Sequence, residues 1–444
     1  MSADPDDIYA APAEWVNQGA GAQGNLFLTG RAGTGKTTLL KRFLEEAGED
    51  AVVLAPTGVA AMNAGGQTIH SFFKLPPRLI EPPDIKRVRN GRVIRALKTV
   101  IIDEISMVRA DMMDAIDKSL KLNRGSKRPF GGVRMILAGD LHQLPPVVRG
   151  EETEILEDRY GGSYFFNAPA FREAEFALLA LKHIFRQDDP KFLALLGAIR
   201  RGRITEPDAD LLQTLVSDRS ALDASETHIV LTPNNNNAAR INQARLEELG
   251  GKTKTYEAKV DGQFEERAFP TEADLELKEG ARVMLIRNDP EGRWVNGSLG
   301  TVEGFGRKGV LVSIDGRAYE IEAAAWEKYR YTVDAETKKI SREVIGTFKQ
   351  MPLRLAWAVT IHKAQGLTLN KVFIDFDYGM FAHGQAYVAL SRARSLDGLE
   401  LSRALMPRDL VMDRNAFAFG ELETLEDTDA YLLAKFAKRE DELL

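Results

Sequence analysis

The 444-residue chain contains no cysteine. Disulfides, thiolate zinc sites and a cysteine nucleophile are therefore excluded. Its six histidines are scattered, which leaves no histidine-rich metal cluster. No apolar run approaches the roughly 18 residues that a membrane-spanning helix needs. The opening segment, Met1-Ser2-Ala3-Asp4-Pro5-Asp6-Asp7, is acidic and lacks the basic stretch that begins a secretory signal. Repeats and low-complexity linkers are also missing. These absences suit a cytoplasmic protein with no membrane partner. A strong excess of either charge is lacking too, since the formal net charge is −6. That value argues only weakly against nucleic acid, because binding follows local potential. Basic stretches do occur at Lys86-Arg87-Val88-Arg89-Asn90-Gly91-Arg92 and Arg200-Arg201-Gly202-Arg203. Each fits a solvated loop or helix end as well as a phosphate contact.

The residues present are those of an ordinary globular protein, and the length calls for two to four domains. The most informative stretch is Gly30-Arg31-Ala32-Gly33-Thr34-Gly35-Lys36-Thr37. It fits the phosphate-binding loop G-x-x-x-x-G-K-[ST]. Leu26 to Leu28 reads as a buried strand before it, and Thr38 to Leu44 as a helix after it. In that context Gly30, Ala32, Gly33, Thr34, Gly35 and Thr38 are candidates to line ATP phosphates through backbone N–H groups. Lys36 is placed to reach the β- and γ-phosphates, and Thr37 to hold Mg²⁺.

Later segments repeat the pattern of a strand running into a turn. Ala51 to Ala55 is a strand that ends at Pro56-Thr57-Gly58, facing the same sheet edge as the phosphate loop. Thr68, His70, Phe72 and Phe73 offer a hydroxyl, an imidazole and rings suited to single-stranded DNA, although the two phenylalanines fit a core equally well. Residues 74–97 read as a small inserted excursion. Lys98 to Glu104 is a strand ending in two acids. Asp103 suits Mg²⁺, and Glu104 suits the orientation of an attacking water. Val133 to Ala138 is another strand, and Gln143 follows where a side chain can address a γ-phosphate; His142 reads as a loop residue. Helices are expected at 111–122, 190–201 and 207–216, and from Asn234 to Leu249. Between about 251 and 349 short β-rich pieces replace helical periodicity, with turns at Asn296-Gly297 and Asp315-Gly316. Trp294 fits a barrel core, and Arg293 to Gly297 also fits a nucleic-acid contact. Thr360-Ile361-His362-Lys363-Ala364-Gln365-Gly366 and the helix Gln385 to Arg394 then resume an α/β pattern. Arg392 or Arg394 makes structural ion pairs or serves as an arginine finger. An amphipathic helix is expected over 421–444.

Together, the phosphate loop, Asp103-Glu104, Gly139 to Gln143, Thr360 to Gly366 and Val388 to Arg392 resemble the ordered motifs of superfamily-one 5′-to-3′ DNA helicases. Glu104-Ile105-Ser106-Met107-Val108, Pro129-Phe130-Gly131-Gly132 and Gln143-Leu144-Pro145-Pro146-Val147 are similar to the Pif-family signature. RecD-like and phage relatives are less similar there. The resemblance implies an α/β fold of two RecA-like parallel-sheet motors, the first over 1–181 with a wedge near 74–97, the second over 182–250 and 350–444. An SH3-like β domain would occupy 251–349. It implies that Lys36, Thr37, Asp103, Glu104, Gln143, Arg186, Gly366 and Arg392 handle ATP and Mg²⁺, with Arg186 and Arg392 approaching from the second motor. Pro56, Thr57, Gly58, Thr68, His70, Phe72, Asn296, Thr360, His362 and Lys363 would contact the strand. The expected partners are single-stranded and forked DNA, with G-quadruplexes and RNA–DNA hybrids as further substrates. The expected form is a monomer in a bacterial-type, nucleoid-associated setting. A RecD-like or relaxase-associated subunit and a nucleotide-gated DNA-binding module remain as alternatives. One departure stands out: Glu14 to Gly21 has no glutamine clearly placed to read adenine.

Overall fold

A computed structural model describes residues 24–47, 50–88, 91–148, 150–217, 228–333, 340–376 and 379–420. The segment 14–21 and the expected helix over 421–444 lie outside the described residues, as do Arg89 and Asn90 of the first basic stretch.

Six strands form one wholly parallel sheet: β1 (Asn25–Gly30), β2 (Ala51–Ala55), β3 (Gln67–Thr68), β4 (Thr99–Ile102), β5 (Arg134–Gly139) and β6 (Phe176–Leu181), in the order β3-β2-β4-β5-β1-β6. The central strands are apolar over most of their length because both faces are covered. Alternate residues feed different cores, as the period-two pleat requires. Phe27, Leu54, Ile102 and Leu137 enter one cluster, while Leu28, Val53, Ile101 and Ala138 enter the other. The strands β3 and β6 are additions to the four read from the sequence. The first is only two residues long, and the second lies just before the expected boundary.

The second parallel sheet starts with β7 (Ile229–Thr232). The chain then leaves for ten strands. They are β8 (Lys254–Glu257), β9 (Lys259–Gly262), β10 (Asp274–Leu277), β11 (Arg282–Leu285), β12 (Leu299–Phe305), β13 (Gly309–Ile314), β14 (Arg317–Glu322), β15 (Ala324–Val333), β16 (Ile340–Gln350) and β17 (Leu353–Leu355). Five make an antiparallel sheet in the order β14-β13-β12-β11-β17 around a core of Val283, Val302, Val312 and Ile321. Because β17 pairs with β11, this sheet extends past residue 349. The long β15–β16 ribbon pairs with β9. Trp294 is half-buried against the five-stranded core, with the Arg293 guanidinium 4.8 Å above its ring. Three strands complete the second sheet: β18 (Ala358–Thr360), β19 (Val372–Ile374) and β20 (Leu399–Leu401), in the order β18-β7-β19-β20.

The segment 74–97 is stitched to the first sheet's core rather than standing apart. Ile80, Val93, Ile94 and Leu97 are buried there, and Ile80 N–H donates to Asp111 Oδ2 at 2.9 Å. The helix at 190–200 carries Phe192, Leu195 and Leu196 into the second sheet's core.

Candidate active site

The parallel strands of the first sheet release their carboxyl ends at one edge, and this convergence builds the site. After β1 the phosphate loop leads into the helix Lys36–Ala47. Lys36 Nζ donates to the carbonyls of Gly30 at 2.7 Å and Arg31 at 3.1 Å, so the ammonium rests on acceptors of its own loop. Gly33 has φ +82°, and a Cβ there would lie 2.6 Å from Arg186 Cβ. Only glycine satisfies both the backbone angle and that approach.

At the end of β4, Thr37 Oγ1 donates to Asp103 Oδ2 at 3.1 Å. A hydroxyl and a carboxylate oxygen side by side next to a phosphate loop are hard donors of the kind Mg²⁺ takes, together with nucleotide oxygens. Burial raises the Asp103 pKa. Glu104 adopts φ +53°, an uncommon angle for a residue with a side chain. Burial, then the neighbouring Asp103, push its carboxyl up to about 7.

At the end of β5, Asp140 is fully buried. Burial alone would raise its pKa, but Arg200 and Lys36 outweigh it and hold the carboxyl below the usual range. Asp140 accepts from Arg200 Nη2 at 3.1 Å and from Gln143 Nε2 at 3.0 Å. Arg200 is thus an interior ion-pair partner, which corrects its reading as part of an exposed basic stretch. His142 is buried against the Phe417 ring at 5.7 Å, and burial lowers its pKa to about 3, so it is neutral.

The second sheet meets this edge directly. Arg186 stems from a segment anchored to the phosphate loop, where Phe185 N–H donates to Gly33 O at 2.9 Å. Its guanidinium reaches the second sheet's side of the junction, donating to Thr368 Oγ1 at 2.9 Å, Gly366 O at 3.1 Å and Ser391 O at 3.3 Å. Arg392 does come from the second unit. It is fully buried, and its Nε donates to Val388 O at 2.9 Å and its Nη2 to Ser391 Oγ at 2.9 Å. Burial, then Arg186, lower its pKa well below the ordinary value. Two further residues of the second unit cross over. Tyr387 hydroxyl accepts from Ala32 N–H at 3.1 Å. Gln365 Nε2 donates to Glu104 Oε2 at 3.1 Å and Gln143 Oε1 at 3.3 Å. Neither was given a role from the sequence, nor was Asp140. Asp140 and Gln365 sit inside quoted motifs, while Arg200, quoted only within a basic stretch, carries no local signal of its buried partner.

The expected strand-binding residues fall into three groups. Thr57, Thr68 and Thr360 each accept a backbone N–H within their own turn, from Ala60 at 3.2 Å, Ser71 at 3.3 Å and Lys363 at 3.3 Å. A hydroxyl that caps in this way keeps its O–H proton for an acceptor such as a phosphate oxygen. Thr57 and Lys363 are exposed, and Pro56, Gly58, His70 and His362 are half-buried. Asn296 belongs to the β-rich region, yet a Cβ added at its neighbour Gly297 would lie 3.4 Å from the Leu367 side chain, beside the 360–366 turn. Phe72 is a correction. It is 8% exposed and packs edge-on against Phe73 at 4.9 Å and Tyr331 at 5.8 Å, so its ring belongs to the core.

Two parallel sheets meeting over a phosphate loop, with arginines at the junction, define a two-motor P-loop NTPase of RecA-like architecture. A model of PIF1-like helicases matches residues 1–210. The human ATP-dependent DNA helicase PIF1 is 36% identical over 395 residues, 85% of this chain and 58% of that protein's length. The Pif1 helicase of Bdellovibrio bacteriovorus is 34% identical over 408 residues, 89% of this chain and 88% of its own. A crystal structure of a Bacteroides Pif1 in complex with ADP-AlF4 superposes with a TM-score of 0.86 at 36% identity, covering 94% of this chain and 96% of that one. The same protein bound to ssDNA gives a TM-score of 0.66 at 37% identity, covering 94% and 96%. The chain belongs to the family of PIF1-like helicases, and it spans under two thirds of the human protein's length. Among the described residues no helix is long and apolar enough to cross a membrane.

Proposed function

We propose that the chain is an ATP-driven motor that translocates 5′ to 3′ along single-stranded DNA and opens forked duplexes. The observation that carries this reading is the junction itself, where Arg186, Tyr387 and Gln365 link the phosphate loop and the Asp103–Glu104 pair to the second sheet, with Arg392 buried on the second sheet's side. In this reading residues 1–181 form the first motor with a wedge at 74–97. Residues 182–250 and 350–444 form the second, and an SH3-like domain fills most of the interval.

Lys36 leaves its loop carbonyls to meet the β- and γ-phosphates, and the backbone from Gly30 to Thr38 lines the remaining oxygens. Thr37 and Asp103 would hold Mg²⁺, which would neutralise phosphate charge. Glu104 takes the proton of the attacking water, and Gln143 addresses the γ-phosphate. Arg186 and Arg392 exchange carbonyl partners for phosphate oxygens, an exchange that draws the two sheets together. The capping hydroxyls of Thr57, Thr68 and Thr360, with Pro56, Gly58, His70, Asn296, His362 and Lys363, grip the strand across both motors. Alternate closure and opening then advances the strand. A Bacteroides Pif1 is described bound to ssDNA, and two coordinating Pif1 helicases are described at forked dsDNA. Here a monomer is sufficient for translocation, and G-quadruplexes and RNA–DNA hybrids are further substrates.

Unwinding of duplexes carrying either a 5′ or a 3′ single-stranded tail tests the reading. Selective opening of 5′-tailed duplexes with strand-stimulated ATP turnover is expected. Turnover indifferent to single-stranded DNA would point instead to a nucleotide-gated binding module.

A further inference from the structure

Gln365 spans the boundary between the two sheets with one side-chain nitrogen. Its Nε2 donates to Glu104 Oε2 at 3.1 Å and to Gln143 Oε1 at 3.3 Å. These acceptors follow different strands, β4 and β5. They are also the two groups that the proposed mechanism aims at the attacking water and the γ-phosphate. The same nitrogen therefore engages both.

The backbone that carries Gln365 is a tightly bonded turn. Ala364 N–H donates to Thr360 O at 2.9 Å, Gln365 N–H to His362 O at 3.2 Å, and Leu367 N–H to Ala364 O at 3.0 Å. Lys363 N–H donates to Thr360 Oγ1 at 3.3 Å. The turn is rooted in the second sheet through Ile361 N–H, which donates to Thr232 O at 3.0 Å. Thr360, His362 and Lys363, assigned above to the strand, thus share one hydrogen-bonded unit with the Gln365 amide. A unit closed at each step moves as a piece, and a strand pulling on one end displaces the other.

We propose that Gln365 is a positioning residue that restrains Glu104 and Gln143 until single-stranded DNA displaces its turn. The proposal rests on the assignment of Glu104 as the group that activates water. Without a strand, the amide occupies an oxygen of Glu104 and the carbonyl of Gln143, so neither side chain is free to turn toward the nucleotide. Strand contact at Thr360, His362 and Lys363 shifts the turn, breaks both bonds and frees the two groups together. Stimulation of ATP turnover by DNA then arises from the loss of one shared donor.

The test compares the full chain with Gln365→Leu, which keeps bulk and removes the donor, and Gln365→Ala. ATP turnover is measured with and without an oligothymidine strand, alongside strand affinity and thermal melting. Strand-free turnover is expected to rise about tenfold in both variants, the size of one hydrogen bond to a charged group. The ratio of stimulated to basal rate should fall accordingly, with strand affinity unchanged. Unaltered basal rate and stimulation would overturn the proposal. So would equal loss of turnover with and without the strand in a variant that melts normally, since Gln365 would then assist hydrolysis. Glu104→Gln separates the two assignments. Residual turnover in that variant removes the underlying reading. Its inactivity beside native-like Gln365 variants removes the restraint alone.

Discussion

The Tyr331 hydroxyl meets the backbone of Val53, accepting its N–H at 3.1 Å and donating to its carbonyl at 3.4 Å. The strand β3 pairs with β2 only at Leu54 and Ala55, so the Val53 N–H would otherwise lie beyond the ladder. The ribbon β15–β16 thereby latches the β-rich region onto the first sheet. That region also covers the turn at Gly58, where an added Cβ would lie 3.3 Å from Ala268 Cβ. Ala268 moves with the ribbon, because Phe269 packs on Phe348 of β16 at 4.5 Å.

Tyr331→Phe should therefore favour arrangements in which the Gly58 turn is uncovered. The lost bonds leave a buried edge unsatisfied, worth about 1–3 kcal/mol. The expected outcome is a roughly tenfold gain in single-strand affinity, measured by fluorescence anisotropy. Unchanged or weaker binding would show that the latch does not compete with the strand.

Glu104 carries a pH signature. As a base it acts through its carboxylate, so ATP turnover should decline as pH falls through about 7. Stability should run the other way. A carboxyl whose folded pKa is raised from 4.5 to about 7 binds more protons folded than unfolded in that window. Its share of stability is present below the window and lost as pH rises through it. Glu104→Gln should abolish turnover, keep nucleotide binding, and flatten the dependence of melting temperature on pH in this range. Binding is read with a fluorescent ATP analogue.

The contrast between what was legible and what was not follows from how local each signal is. The phosphate loop, β2 and the helix that begins at Asn234 are set by residues close in sequence, and they stand where spacing placed them. Strand β3 was invisible because two residues cannot show a period. Phe72 could not be placed, since a ring next to Thr68 and His70 suits DNA or a core equally. Tyr331, 259 positions away, decides for the core. Gln365 lay in a recognised motif, but its partners at 104 and 143 exist only once two sheets meet. Arg200 was misread for the same reason, because its carboxylate partner is 60 residues upstream.

The Arg200–Asp140 pair is buried on both sides, with side-chain exposures of 4% and 0%. Removing one partner leaves an uncompensated interior charge, at a cost of about 3–5 kcal/mol. Arg200→Met should lower the melting temperature and release the Asp140 carboxyl from its depressed pKa. The native pair contributes above the ordinary carboxylate range and loses its contribution as pH falls toward the depressed value. Arg200→Met should therefore be penalised most at neutral pH, with the gap to the native protein narrowing in acid. Calorimetry across pH checks this, and a constant gap would contradict the assignment.

Phe72 offers the sharpest separation between packing and recognition. Its ring is wedged between Phe73 and Tyr331 in the core that joins the first sheet to the ribbon. Phe72→Leu retains most of the apolar volume, whereas Phe72→Ala opens a cavity costing about 3–5 kcal/mol. If the ring only packs, the leucine variant should bind single-stranded DNA with native affinity, and the alanine variant should lose stability in chemical denaturation. A stacking ring would give a different pattern, because an aliphatic replacement forfeits about 1–3 kcal/mol of base contact whatever its volume. Native binding in Phe72→Leu beside a destabilised Phe72→Ala is the expected result. Weakened binding in a stable leucine variant would return Phe72 to the strand.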